Sequence, residues 1–121
     1  MKISDSELIL LKILWIESPL TVGQMIQRAQ KTTDWHDNTI KTLLMRLTKK
    51  IAVTREKDGR QYFYSANVDR DEILAQETEG FLSKYFGGKM APFVAHFNKT
   101  KSLSDEEIQE LEDILKRMKK K

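Results

Sequence analysis

Between residues 37 and 66 the hydrophobic period switches from helical to strand-like, and that switch constrains the fold more than any other feature of the chain. Ile40, Leu43, Leu44 and Leu47 recur at i, i+3, i+4 and i+7, which predicts a helix from about Asp37 to Lys50. Val53 to Lys57 and Gln61 to Ser65 are then rich in β-branched or aromatic residues. Between them lies Asp58-Gly59, a strong hairpin signal.

What precedes this helix and ribbon is helical. Leu8, Leu11, Ile13, Leu14 and Trp15 are apolar nearly all round a first helix, which predicts a deeply buried element capped by Ser4 or Asp5 and ended at Ser18-Pro19. Leu20-Thr21 suits a short strand. Thr21 and Gln24 have capping-box spacing, and Val22, Met25, Ile26 and Ala29 describe a short amphipathic helix. Lys31 to Asp34 is a polar loop. Three helices followed by a hairpin make a winged helix-turn-helix.

The second part is helical again. A helix opens at Asp69 to Glu72, with Ile73, Leu74, Phe81, Leu82, Tyr85 and Phe86 expected inward, and Gly87-Gly88 stops it. A short helix spans about Pro92 to Phe97. Ser104 to Glu107 forms another capping box, opening a helix whose Ile108, Leu111, Leu115 and Met118 make a heptad-like seam. The expected fold class is therefore mainly α with an α+β wing: a winged helix-turn-helix domain over 1–68 and a helical domain over 69–121.

Charge separates the two parts. Residues 1–70 hold 12 basic and 8 acidic side chains, while residues 71–121 hold 9 and 10. A basic first part suits a polyanion partner. The chain has no cysteine, which excludes a disulfide framework, a thiolate metal site and a cysteine nucleophile. His36 and His96 share no helix face with a second ligand, no glycine-rich phosphate loop is present, and no serine sits in a Gly-x-Ser-x-Gly elbow. Neither an enzyme nor a metal or cofactor site is expected. The apolar run from Leu8 to Ile16 is interrupted by Lys12 and falls short of the about 20 residues of a membrane span. A buried helix in a soluble, cytoplasmic protein is expected.

Nucleic-acid recognition is what these residues fit. Opposite the apolar stripe of the third helix lie Asn38, Thr42, Met45 and Lys49, flanked by Lys41 and Arg46; on its first turns Asn38, Thr39, Lys41 and Thr42 are types that hydrogen-bond base edges or meet a thymine methyl group. Arg46 and Lys49 lie further along, suited to phosphates or a guanine edge. Lys57 and Arg60 on the hairpin suit a neighbouring phosphate or the minor groove. The alternative is a winged helix that only contacts other proteins.

Asp34-Trp35, Thr39-Ile40-Lys41-Thr42-Leu43-Leu44, Arg46-Leu47 and Lys49-Lys50 resemble the central signature of the BlaI/MecI penicillinase-repressor family, which includes the copper-responsive CopY repressors. Gly59-Arg60 with Tyr62-Phe63-Tyr64 resembles its wing. Ser4 to Trp15 resembles its first helix, and Leu103 to Ile108 with Glu110-Leu111 its last. The resemblance implies a homodimeric bacterial repressor that binds double-stranded DNA at inverted repeats, typically of TACA/TGTA type. By position, Asn38, Thr39, Lys41, Thr42 and Arg46 occupy the family's DNA-contacting helix.

The resemblance also implies an interlocking helical dimerisation domain. Phe81, Tyr85, Phe93, Phe97, Leu111, Leu115 and Met118 are too many apolar residues for thin helices to bury alone, and are expected at the dimer interface. In β-lactam-responsive members a sensor-linked protease cuts an Asn-Phe bond; the matching pair here is His96-Phe97. The copper branch's thiolate ligands have no counterpart. Ile51 stands where the family usually has glycine, so a left-handed backbone there would be strained and the helix end remodelled.

Overall fold

In the computed structural model, which describes residues 1–120, three helices and a twisted ribbon enclose one apolar core. Helix α1 spans Asp5–Ile16. The Ser4 hydroxyl accepts from the Glu7 amide at 3.1 Å, and the Glu7 carboxylate accepts from the Ser4 amide at 2.8 Å, a reciprocal cap that fixes the first turn. Only one face of α1 is deeply buried, through Leu10, Leu11 and Leu14. Leu8, Ile13 and Trp15 are half-buried and Ile16 is exposed. The expectation of burial all round was too broad, because α1 packs at the edge of a small domain rather than through its centre. Trp15 donates from its indole to the Val68 carbonyl at 2.9 Å, tying α1 to the end of the ribbon.

Strand β1 (Leu20–Thr21) leads directly into helix α2 (Val22–Ala29), with Thr21 and Gln24 forming the expected box. Helix α3 covers Asp37–Lys49. Strands β2 (Val53–Asp58) and β3 (Gln61–Ala66) pair antiparallel, and β1 pairs with the other edge of β3, giving the order β1-β3-β2. Because Asp58 pairs with Gln61, the two-residue turn is Gly59-Arg60. Gly59 takes φ +66°, the geometry that places glycine first in a tight hairpin turn.

The end of α3 is set by Ile51, whose φ is +62°. Its amide donates to the Thr48 carbonyl at 3.1 Å, and the Ala52 amide donates to the Leu47 carbonyl at 3.0 Å. This pair of bonds is the usual glycine-based helix stop, formed here by a β-branched residue without remodelling of the helix end. It delivers Ala52 and Val53 into the core, where both are buried.

Glu7 is a surprise in this core: it is 1% exposed. Its carboxylate accepts from the Lys50 ammonium at 2.5 Å, while its second oxygen has no hydrogen-bond partner. Burial pushes the carboxyl up, but the bonds from Lys50 and Ser4 outweigh it and hold the pKa below the usual carboxylate range.

Two compact units divide the chain, Met1–Leu74 and Ala75–Lys121. Helix α4 (Arg70–Phe86) contributes Ile73 to the first core. In the second unit α4 ends at Gly87-Gly88, both left-handed, and is followed by α5 (Met90–Thr100) and α6 (Asp105–Lys119). Leu82 is buried, but Phe81 and Tyr85, expected inward, are 45% and 62% exposed, and so is Leu74 at the end of the first unit, at 50%. Three thin helices have too little interior to enclose the two rings. The rings of Phe81, Phe86 and Phe93 nevertheless meet at centroid distances of 5.6 to 5.9 Å.

Candidate nucleic-acid interface

The face of α3 is fixed by its buried side. Ile40, Leu43, Leu44 and Leu47 are all buried, so the helix cannot rotate without emptying the core. Asn38, Thr39, Lys41, Thr42, Arg46 and Lys49 consequently face solvent. They divide between two flanks. Asn38, Thr39, Thr42 and Arg46 line a shallow groove of about 290 Å³ on one side. Lys41 and Lys49 line a second groove, of about 520 Å³, between α3 and the ribbon.

The ribbon's register builds the other wall of that second groove. Alternation puts Val53, Arg55 and Lys57 on one face of β2, opposite Ala66, Tyr64 and Tyr62 of β3. Glu56 and Asp58 point to the other face. The pleat thus separates the charges, with cations towards α3 and carboxylates away. Arg55, which the sequence reading did not single out, lines the groove with Lys41, Lys49 and Tyr64. Its guanidinium lies 4.1 Å from the Tyr62 ring centroid, within the range of a cation–π contact. The Tyr64 hydroxyl beside it raises its already high pKa further. The signal was available in the sequence: Arg55 and Lys57 have strand spacing, two residues apart. Arg60 sits in the turn at the ribbon's tip.

The chemistry of this face is that of an unsatisfied cationic surface. Lys41, Arg46, Lys49, Lys57 and Arg60 make no ion pair with any described residue, whereas Arg28 and Lys50 are paired with Glu17 and Glu7. The Thr42 hydroxyl donates to the Asn38 carbonyl at 2.9 Å, leaving its oxygen as an acceptor and its methyl group free. The Asn38 side chain has no partner among the described residues. At the start of α3, His36 occupies the cap position without a capping hydrogen bond, and Gln30 instead holds the Trp35 carbonyl and the Asp37 carboxylate at 3.1 and 2.8 Å.

The residues expected at a dimer interface and a cleavage position lie in the second unit. Phe81 and Tyr85 are on α4; Phe93, His96 and Phe97 are on α5; Leu111, Leu115 and Met118 are on α6. Phe81, Tyr85, Phe97, Leu115 and Met118 are exposed, while Phe93 and Leu111 are half-buried. The His96 ring meets that of Phe86 in a tilted contact, with centroids 6.0 Å apart. Among the described residues no cluster of His, Asp or Glu could hold a metal ion, and no helix is long and apolar enough to cross a membrane.

A third helix and a ribbon sharing one cationic face, with a helical unit following, define a winged helix-turn-helix protein. The chain belongs to the penicillinase repressor family, whose model matches residues 3–117. It is 36% identical over 114 residues to the penicillinase repressor of Bacillus licheniformis, covering 94% of this chain and 89% of that one. It is 37% identical over 120 residues to the penicillinase repressor of Staphylococcus aureus, covering 99% and 95%. Among solved structures, the monomeric form of Bacillus licheniformis BlaI in complex with the blaP half-operator matches with a TM-score of 0.53. That match is 38% identical and covers 60% of this chain and 88% of that one. The family is one of repressors, not of enzymes.

Proposed function

We propose that the chain is a cytoplasmic, homodimeric repressor that binds double-stranded DNA at an inverted-repeat operator. The observation that carries this reading is the unpaired cationic face shared by α3 and the ribbon. A 38% identical winged helix in complex with a half-operator supports it. In this reading Asn38, Thr39 and Thr42 meet base edges, with Lys41, Arg46 and Lys49 on bases or flanking phosphates. Arg55, Lys57 and Arg60 hold the backbone beside the ribbon. Residues 1–68 form the DNA-binding domain and 69–121 the dimerisation domain. Phe81, Tyr85, Phe93, Phe97, Leu111, Leu115 and Met118 form the interface between copies, and scission of His96-Phe97 by a sensor-linked protease releases the operator.

Fluorescence anisotropy with duplexes from the protein's own promoter tests the reading. The promoter duplex should bind at least about a thousandfold more tightly than a scrambled duplex at the same salt concentration. Affinity should fall steeply with salt, with a log–log slope of about −0.9 per phosphate contacted. Equal binding to both duplexes would refute it.

A further inference from the structure

Met45 is the one apolar residue of α3 that the core does not take. Ile40, Leu43, Leu44 and Leu47 are at most 6% exposed, whereas Met45 is 58% exposed. Because Leu44 and Leu47 lock the helix rotation, Met45 is held outward. At about 100° per residue it lies within roughly 60° of Asn38, Thr42 and Lys49, in the middle of the outward face. Lys41 and Lys49 flank it one turn before and one turn after, and it forms part of the lip of the groove towards Arg55.

We propose that Met45 is a specificity-determining residue that reads a thymine methyl group in the major groove. The inference rests on the reading of α3 as the DNA-facing helix. In the major groove, the thymine C5 methyl is the apolar feature that distinguishes one base edge from another. Among the neighbours of Met45, Lys41, Arg46 and Lys49 offer charge and Asn38 an amide; Thr42 also presents a methyl group, but one short carbon beside a hydroxyl, whereas Met45 projects a wholly apolar chain from the middle of the face. A thioether chain is unbranched and polarizable, so it can follow the methyl group without strain. A base step facing Met45 would otherwise leave that side chain against polar edges, and such a step would be selected against.

The test uses the full chain. A random duplex pool is selected for binding, and each dT of the enriched sequence is replaced in turn by dU, which removes only the methyl group. Wild-type protein should lose about fourfold in affinity at the step that faces Met45, the worth of one buried methyl group. Met45→Ala should bind with equal affinity to the dT and dU duplexes at that step, and Met45→Leu should regain the preference for dT. Thermal melting of Met45→Ala should match wild type, since the core does not use the side chain. Indifference of the wild type to every dU, or an undiminished dT preference in Met45→Ala, would overturn the inference. A pool that yields no enriched sequence at all would overturn the reading of the face itself, and this inference with it.

Discussion

Ile51 tests whether the stop of α3 is strained. An L-residue in the left-handed region costs about 1–2 kcal/mol relative to the right-handed one. Ile51 is held there by its own bond to Thr48, by the Ala52 bond to Leu47, and by Asn67, whose side chain donates to the Ile51 carbonyl at 2.9 Å. The side chain itself is 64% exposed, so the conformation is fixed by its neighbours and not by its own burial. Two substitutions separate conformation from burial. Ile51→Ala removes the side chain and keeps the strain; Ile51→Gly removes both, at an entropic cost to glycine of about 0.5–1 kcal/mol. Glycine should therefore exceed alanine by about 1 kcal/mol. For a unit of this size that corresponds to roughly 4–8 °C in melting temperature. Urea titration of the full chain at fixed concentration reads the difference directly, as a shift in midpoint at constant slope. Alanine more stable than glycine would show that any strain stored at this position is smaller than glycine's entropic cost of about 0.5–1 kcal/mol, and would refute the reasoning.

The remaining substitutions probe charge and surface. Glu7→Gln leaves Lys50 without its anion and should destabilise by about 1.5–3 kcal/mol at neutral pH. Because the folded carboxyl is held below its unfolded value, that stabilisation is complete above the usual carboxylate range and is lost as pH falls through the folded pKa. Wild type and variant should therefore converge in acid, and a gap independent of pH would refute the pair. Lys41→Ala and Arg46→Ala should each leave stability within about 0.5 kcal/mol. Each should weaken operator binding by about 1–3 kcal/mol where it contacts a base; unfolding with normal residual binding would make these residues structural. Ultracentrifugation of the full chain at micromolar concentration should give a dimer, with residues 1–74 alone remaining monomeric and binding operator more weakly; a monomeric full chain would refute the assignment of the apolar surface.

The parts of the fold that the sequence made legible are those where one period dominates. The α3 stripe, the hairpin and the Thr21–Gln24 box announce themselves within a few residues, because caps and turns are local chemistry. Glu7 was not legible: a carboxylate just ahead of an apolar run gives no sign of burial until Lys50, 43 positions away, arrives beside it. Arg55 was missed for a related reason. Its place directly opposite Tyr64 depends on the strand register: a turn at Asp58-Gly59 would set Val53 there, and the turn at Gly59-Arg60, one residue on, sets Arg55 there instead. The burial expected for Leu74, Phe81 and Tyr85 failed because periodicity reports which face is apolar, not whether anything within one chain covers it.

The His96-Phe97 bond lies inside α5, so its exposure alone does not make it cleavable. A protease needs an extended segment, and the bond becomes available only when α5 opens locally. The helix is held by rings more than by its own length: Phe93 contacts Phe81 and Phe86 at 5.6 Å each and Phe97 at 6.3 Å. Edge contacts of this kind contribute about 0.5–1.5 kcal/mol apiece. Phe93→Ala removes the contacts with both α4 rings, and where reclosing outpaces cutting the cleavage rate follows the open population. Digestion of the full chain with a broad-specificity protease, followed by mass analysis, should then show cleavage within residues 90–100 accelerated by about tenfold, for a loss near 1.4 kcal/mol. Cleavage elsewhere should be unchanged. An unaltered rate within α5 would mean that the ring cluster does not hold the helix closed.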